Sequence, residues 1–413
     1  MAGGSSRSDF WAGAAMRLPP LSEQGRCRRP GPASPSPRCG TAAPGSVTPQ
    51  GTYACAGHPH PALGKPKLWE EFMLLKMLAG VALAAGLSLS ATTAFAETVT
   101  IRYSNWLPAN FFLWDDVVHP WLKEIEQVTE GRVKVEVSPK VVGTVSAQYD
   151  VVRDGLADLS WMVAGYTPGR FPMIELGDLP LIGPDAAVLA PAFDKTYRTH
   201  IARHDVFKGV EPLSLLVISP LQIVTKGKKV ESVDGLAGLK LRSSSVTLTE
   251  VLKLVGAVPI LKSAAEAYEM LATGTIDGQV TNLNTIPGFN QLDLMDGVYH
   301  VPGGLANSVI IMGLNADKWA EISDQDRKAI MAISGEVFAK KVGEAYDKAD
   351  KIALEKMRAA NYHVGEASAE QIAELKTRLK PVEDAWLARA KAAGLANAEE
   401  VLDAYKAEVA KSY

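Results

Sequence analysis

The stretch from Ala237 to Asn282 constrains this chain more than any other. Leu239 and Leu241 alternate with Lys240 and Arg242, which is strand spacing, and Ser243, Ser244 and Ser245 then offer N-cap hydroxyls. Leu248, Val251, Leu252 and Val255 follow at helical spacing. Leu-Val-Gly-Ala-Val-Pro at 254–259 and Ala-Tyr-Glu-Met-Leu-Ala-Thr-Gly-Thr-Ile-Asp-Gly at 267–278 extend the pattern to strand, helix, strand, helix, strand. Such alternation with short connections folds as an open α/β sheet covered by helices.

Arg242 falls where the first of these strands meets its helix. A guanidinium and the free N–H groups of a first helical turn both favour an anion, and the planar fork of Arg binds a carboxylate through two parallel hydrogen bonds. Two readings stand side by side: a carboxylate anchor, or a solvated Arg that pairs weakly with a nearby acidic side chain.

The N-terminal part has a different character. Residues 1–72 are rich in Gly, Ser, Pro and Arg and show no sustained apolar period, so they are expected to be a disordered, non-native upstream extension. Cys27, Cys39 and Cys55 all lie there, at spacings that match no zinc pattern. Residues 73–96 then read as a signal peptide: Lys76 is the basic region, Met77 to Leu89 the apolar core, and Ala94-Phe95-Ala96 the small-x-small cleavage pattern. The apolar run is shorter than the roughly 20 residues of a membrane span. Translation is expected to start at Met73 or Met77, and the exported chain at Glu97.

Of the 43 Lys and Arg, 9 precede residue 97, as do 4 of the 46 Asp and Glu, so residues 97–413 carry a formal charge of −8. They contain no cysteine. A net acidic chain without a basic stripe is a poor partner for nucleic acid, and none is expected.

From Val99 the pattern β-α-β-α-β returns. Val99, Ile101 and Tyr103 alternate as a strand, Phe111 to Thr129 is helical, and Arg132 to Ser138 is a strand. Ser146 to Leu156 is a second helix, and Asp158 to Val163 a short buried strand. Ligands collect at the carboxyl ends of strands in such folds, which makes Asn105 and Trp106 pocket candidates, and Trp161 and Tyr166 further ones; core packing is the competing reading for both tryptophans. Leu213 to Thr225 is too long and apolar for one strand and is broken by Pro220. It is expected to be two strands crossing between lobes, with a hinge near Ser219 and Pro220.

Further strands are expected at 298–301 and 308–315, and a long helix from about Asp324 to Asn361. Two amphipathic helices should follow at 368–413, interrupted by Pro381 and Gly394. Asn307, just ahead of the return strand, is another pocket candidate.

The run Gly-Leu-Lys-Leu-Arg at 238–242, with the segments after it, resembles the signature region of solute-binding proteins from tripartite ATP-independent periplasmic (TRAP) transporters, the DctP-type family. The resemblance extends to Gly155 to Leu159, matching "Gly-x-x-Asp-hydrophobic", and to Gly165-Tyr-Thr-Pro-Gly-Arg-Phe-Pro172. It implies a two-lobed, type II-like periplasmic binding protein fold with crossing hinge strands. Residues 97–220 with about 309–361 would form the first lobe, 221–308 the second, and 362–413 helices packing on both. It further implies that Arg242 holds a solute carboxylate and that Gln222 is a second polar contact. After Asp277-Gly278 the commonest family form has a Glu-Asn pair where this chain has Gln279-Val-Thr-Asn282, so Thr281 and Asn282 stand as site candidates and the solute is not to be copied from other members.

Catalytic arrangements are not found: there is no Gly-x-Ser-x-Gly, no His-Glu-x-x-His and no phosphate-cradling loop. His200 and His204 share i, i+4 spacing without a third ligand, so no metal or cofactor is expected. The expectation is a periplasmic, non-enzymatic protein that captures an organic acid and delivers it to membrane-embedded permease subunits. The alternatives are the binding component of another importer or sensor, and a secreted enzyme on a related fold.

Overall fold

The computed structural model describes residues 98–412; the upstream extension, the signal-peptide segment and the three cysteines lie outside the described residues. Strand β1 (Val99–Ser104) buries Ile101 and Tyr103 and exposes Arg102 between them. Arg102 reaches sideways and grips Asp158 with two hydrogen bonds, Nε to Oδ2 at 2.9 Å and Nη2 to Oδ1 at 2.7 Å. The Asp of the "Gly-x-x-Asp" motif thus ties two strands together at their edge.

Helix α1 (His119–Val128) turns Trp121, Leu122 and Ile125 inward, behind one wider turn at Trp114–Val118. β2 (Val133–Val137), α2 (Gln148–Arg153) and β3 (Leu159–Val163) follow, and β1 runs parallel to β2 and β3. Next come α3 (Ala186–Thr196) and β4 (Val210–Val217), after which the chain crosses at 218–221 into β5 (Gln222–Thr225) of a second sheet.

The second sheet is built by β6 (Lys240–Ser243), α4 (Val246–Leu254), β7 (Val258–Leu261), α5 (Ala264–Ala272), β8 (Gly278–Thr281), the short α6 (Thr285–Gly288) and β9 (Gly297–His300). β6 lies parallel to β7 and β8. Ser245 is the N-cap of α4 and accepts from the Leu248 amide, and Ser263 forms a capping box with Glu266 on α5. The chain then recrosses at 301–308 into β10 (Val309–Asn315), antiparallel to both β3 and β4. The two strand orders are β2-β1-β3-β10-β4 and β11-β9-β5-β8-β6-β7, where β11 (His363–Glu366) comes from the C-terminal part.

Two helices, α7 (Ala316–Glu321) and α8 (Asp324–Ala332), precede the long α9 (Gly335–Ala359). The single helix expected over 324–361 is broken at Ser334–Gly335, where Gly335 takes φ +55°. α9 serves both lobes. Phe338, Ala339, Val342 and Tyr346 pack with Leu213 and Met312 of the first sheet, whereas Ala353 and Met357 pack with Val224 and Val298 of the second.

β11 (His363–Glu366), a strand not expected from the sequence, adds parallel to β9. Its four residues are too few to show alternation. α10 (Ala369–Ala392) then runs from one lobe to the other. Arg378 bonds the Leu254 carbonyl at 3.0 Å, and the Trp386 indole donates to Pro172 O at 3.1 Å. Pro381 lies inside α10 without ending it; the acceptor it leaves free, the carbonyl of Thr377, belongs to an exposed residue that water can satisfy. α11 (Ala398–Ala410) packs on α3, with the Tyr405 and Phe193 rings edge to face at 5.5 Å.

Candidate functional site

The carboxyl ends of β1, β3, β6 and β8 converge on one cavity with an empty volume of about 460 Å3. Each end contributes what its sequence supplies. Trp106 stands just past β1, Tyr166 just past β3, Arg242 on β6, and Thr281 and Asn282 at the end of β8. Trp161, on β3 itself, forms part of the wall while only 1% exposed, so its core and pocket readings both describe it. The Trp106 indole donates to the Trp161 carbonyl at 2.7 Å, which fixes the ring at the wall.

Arg242 is 2% exposed, and among the described residues it forms no ion pair. Its Nε donates to the Lys262 carbonyl at 2.8 Å, and its Nη2 to the Tyr166 hydroxyl at 3.1 Å. The side chain is therefore held in place by a carbonyl and a phenol, neither of which neutralises it. A guanidinium taken out of water without a counter-charge is costly, and an anion entering the cavity would offset that cost.

The rest of the lining is apolar or neutral. Phe111, Phe289 and Tyr346 add aromatic surface, Val163, Ile218 and Ile310 aliphatic surface, and Ser244, Thr285 and Ser308 hydroxyls. Burial pushes the Tyr346 phenol well above its ordinary range, so it stays a neutral donor. Arg242 is the one charged residue on the wall among the described residues.

Three sequence candidates lie elsewhere. The Gln222 amide closes a pair of hydrogen bonds with Val301, donating to its carbonyl at 3.1 Å and accepting from its N–H at 2.7 Å. This joins the start of β5 to the returning crossover and leaves no group for the cavity. Asn105 accepts from the Leu107 amide at 3.1 Å and so shapes its own turn. Asn307 is fully buried beside the wall residue Ser308, and neither of its side-chain polar atoms has a partner among the described residues. Asn282 does reach the wall, and it also donates to the Ser219 carbonyl at 2.6 Å, binding the end of β8 to the first crossover.

The cavity residues that sequence reading missed are mostly hydrophobic: Phe111, Phe289, Tyr346 and Ile310 look like core in any window. Ser244 was legible only as a helix cap.

Residues 104–389 match the family model described as bacterial extracellular solute-binding protein, family 7, or DctP. The chain belongs to this family. A TRAP periplasmic solute-binding protein from Bordetella bronchiseptica, solved with bound (R)- and (S)-mandelate, is 32% identical; the match covers 76% of this chain and 100% of that one, with a TM-score of 0.73. A marine metagenome TRAP solute-binding protein specific for aromatic acid ligands, in complex with 3-hydroxybenzoate, is 28% identical over 76% and 98% of the two chains at a TM-score of 0.71. One from Rhodoferax ferrireducens, with copurified benzoate, is 25% identical over 76% and 98% at 0.72. The fold is the two-lobed binding-protein fold of these structures, and the chain is a solute-binding protein of the TRAP type, not an enzyme.

Proposed function

We propose that this protein captures an aromatic monocarboxylate in the periplasm, holds its carboxylate on Arg242, and delivers it to the membrane permease of a TRAP transporter. The observation that carries the reading is a buried guanidinium without a counter-ion among the described residues, in a cavity whose other walls are aromatic, aliphatic or neutral. One cation matches one carboxylate. A dicarboxylate would bury a second negative charge among Trp and Phe rings with nothing to pair it, and a sugar acid would set several hydroxyls against apolar surface. The relatives solved with mandelate, 3-hydroxybenzoate and benzoate support the same class. Export through residues 73–96 and docking to permease subunits belong to this proposal.

Thermal unfolding of the purified protein against a panel of acids tests it, since a tight ligand raises the apparent stability by mass action. Benzoate and mandelate should raise the melting temperature well above any shift from succinate, galactonate or neutral benzamide. A larger shift with a dicarboxylate or a sugar acid would overturn the assignment.

A further inference from the structure

Tyr166 sits on the first lobe, in the short turn after β3, yet its hydroxyl is bonded by the second lobe. Its oxygen accepts Nη2–H of Arg242 at 3.1 Å and the backbone N–H of Ala264 at 2.9 Å. Ala264 opens α5, so that N–H is one of the donors a first helical turn leaves without an intrahelical acceptor. The ring also lies beside the guanidinium, 5.9 Å from Cζ to centroid. A phenolic oxygen has one proton and lone pairs for two incoming donors, and both acceptor positions are taken. The remaining proton meets no acceptor among the described residues, although the side chain is on the cavity wall.

The neighbouring backbone fixes this geometry. A Cβ on Gly165 would run into the Ser244 carbonyl oxygen and would stand 2.6 Å from Ser245 Cβ, so the turn meets the second lobe through bare backbone. Tyr166 is thereby held against Arg242 whenever the lobes are in this arrangement.

We propose that Tyr166 couples solute capture to closure of the cleft, by accepting Arg242 and Ala264 from the second lobe and donating its one hydroxyl proton to the solute carboxylate. The proposal rests on the carboxylate reading of the cavity. A carboxylate on Arg242 Nη1 presents its second oxygen toward the neighbouring phenol, and the bond from Tyr166 then reads the ligand from one lobe while the two incoming bonds hold the other. Ligand charge is converted into closure because the same oxygen orders both.

The Tyr166→Phe variant keeps the ring beside the guanidinium and removes only the hydroxyl. Its benzoate and mandelate affinities, measured by calorimetry, should fall about 10- to 100-fold, the scale of a lost hydrogen bond to a charged group. Most of the loss should appear as faster dissociation, followed through the fluorescence of Trp106 and Trp161, because the missing bonds form after encounter. An affinity within about threefold of the parent, on the same scale, would overturn the coupling. In parent protein labelled with 13Cζ-tyrosine, the resonance absent from Tyr166→Phe should shift on adding benzoate. A weakened variant with no such shift would leave Tyr166 as an interlobe contact alone and overturn its role as donor. If the parent binds none of the carboxylates, the assignment of the solute class fails, and this proposal with it; if the parent binds benzoate and Tyr166→Phe binds it equally, only the coupling fails.

Discussion

Two arginines stand where the lobes meet, and their surroundings are opposite in charge. Arg242, at the cavity, has a carbonyl and a phenol for company and, among the described residues, no carboxylate. Arg389, on α10 at the other seam, pairs with Glu175 at 2.8 Å and Glu250 at 2.7 Å, so it bridges the first lobe to α4 of the second. Behind it lies Asp178, 2% exposed, which accepts from the Val309 amide at 3.0 Å. Burial and the nearby Glu175 push its carboxyl up to about 8, so it holds a proton at neutral pH. Among the described residues the first seam has a cation with no carboxylate beside it; the second has three carboxyl groups around one guanidinium, one of them protonated. A seam whose arginine is paired within the protein holds structure together, and one whose arginine has no such pair is open to an anion from outside.

The sharpest way to break this contrast is Arg242→Ala. Folding should survive, because no carboxylate is left unpaired, while affinity for benzoate falls by about 3–5 kcal/mol as the solute charge loses its partner. Calorimetry with parallel melting curves checks it, and a destabilised variant that still binds would make Arg242 the structural residue of the pair.

A smaller effect is expected at Asp178. Its folded value lies above its ordinary 3.8, so the folded state binds the extra proton. Stability from this group is therefore full at low pH and declines as pH rises from about 4 to about 8. Asp178→Asn should flatten that part of the pH profile and be more stable than the parent at pH 8 by about 2 kcal/mol, measured by urea unfolding. A parent profile that rises over this range would reverse the sign and the argument.

The smallest change is expected from Arg389→Leu. Glu175, whose carboxyl burial already raises, would lose its guanidinium, but Arg389 is itself 27% exposed, so water compensates in part. A loss of about 1–2 kcal/mol of stability with benzoate affinity nearly unchanged is the expected outcome. A large loss of affinity instead would show that both seams take part in capture.

The sequence was read correctly where the signal is local. Ser245 and the alternation around Ile101 and Leu241 depend on neighbours within a few positions, and Pro220 marked the break between β4 and β5. It missed β11, which is too short for a period, and it expected a break at Pro381 that the exposed Thr377 carbonyl makes unnecessary. The placement of Gln222 could not be read at all. Its neighbour Val301 lies 79 residues away, and nothing near position 222 tells that the amide will be engaged there by backbone.

Sequence alone therefore determined the α/β alternation, the helix caps, the resemblance to the TRAP solute-binding family, and the presence of one Arg where a strand opens onto a helix. Only the tertiary structure decided which rings wall the cavity, and that Arg242 is buried without a counter-ion among the described residues. It also decided that Tyr166 of one lobe meets Arg242 of the other, and that Arg389 is the neutralised arginine of the two. The reason is physical: caps and periods are set by bonds to residues a turn or a pleat away, whereas charge compensation depends on every group that packing brings within a few ångströms, from any distance along the chain.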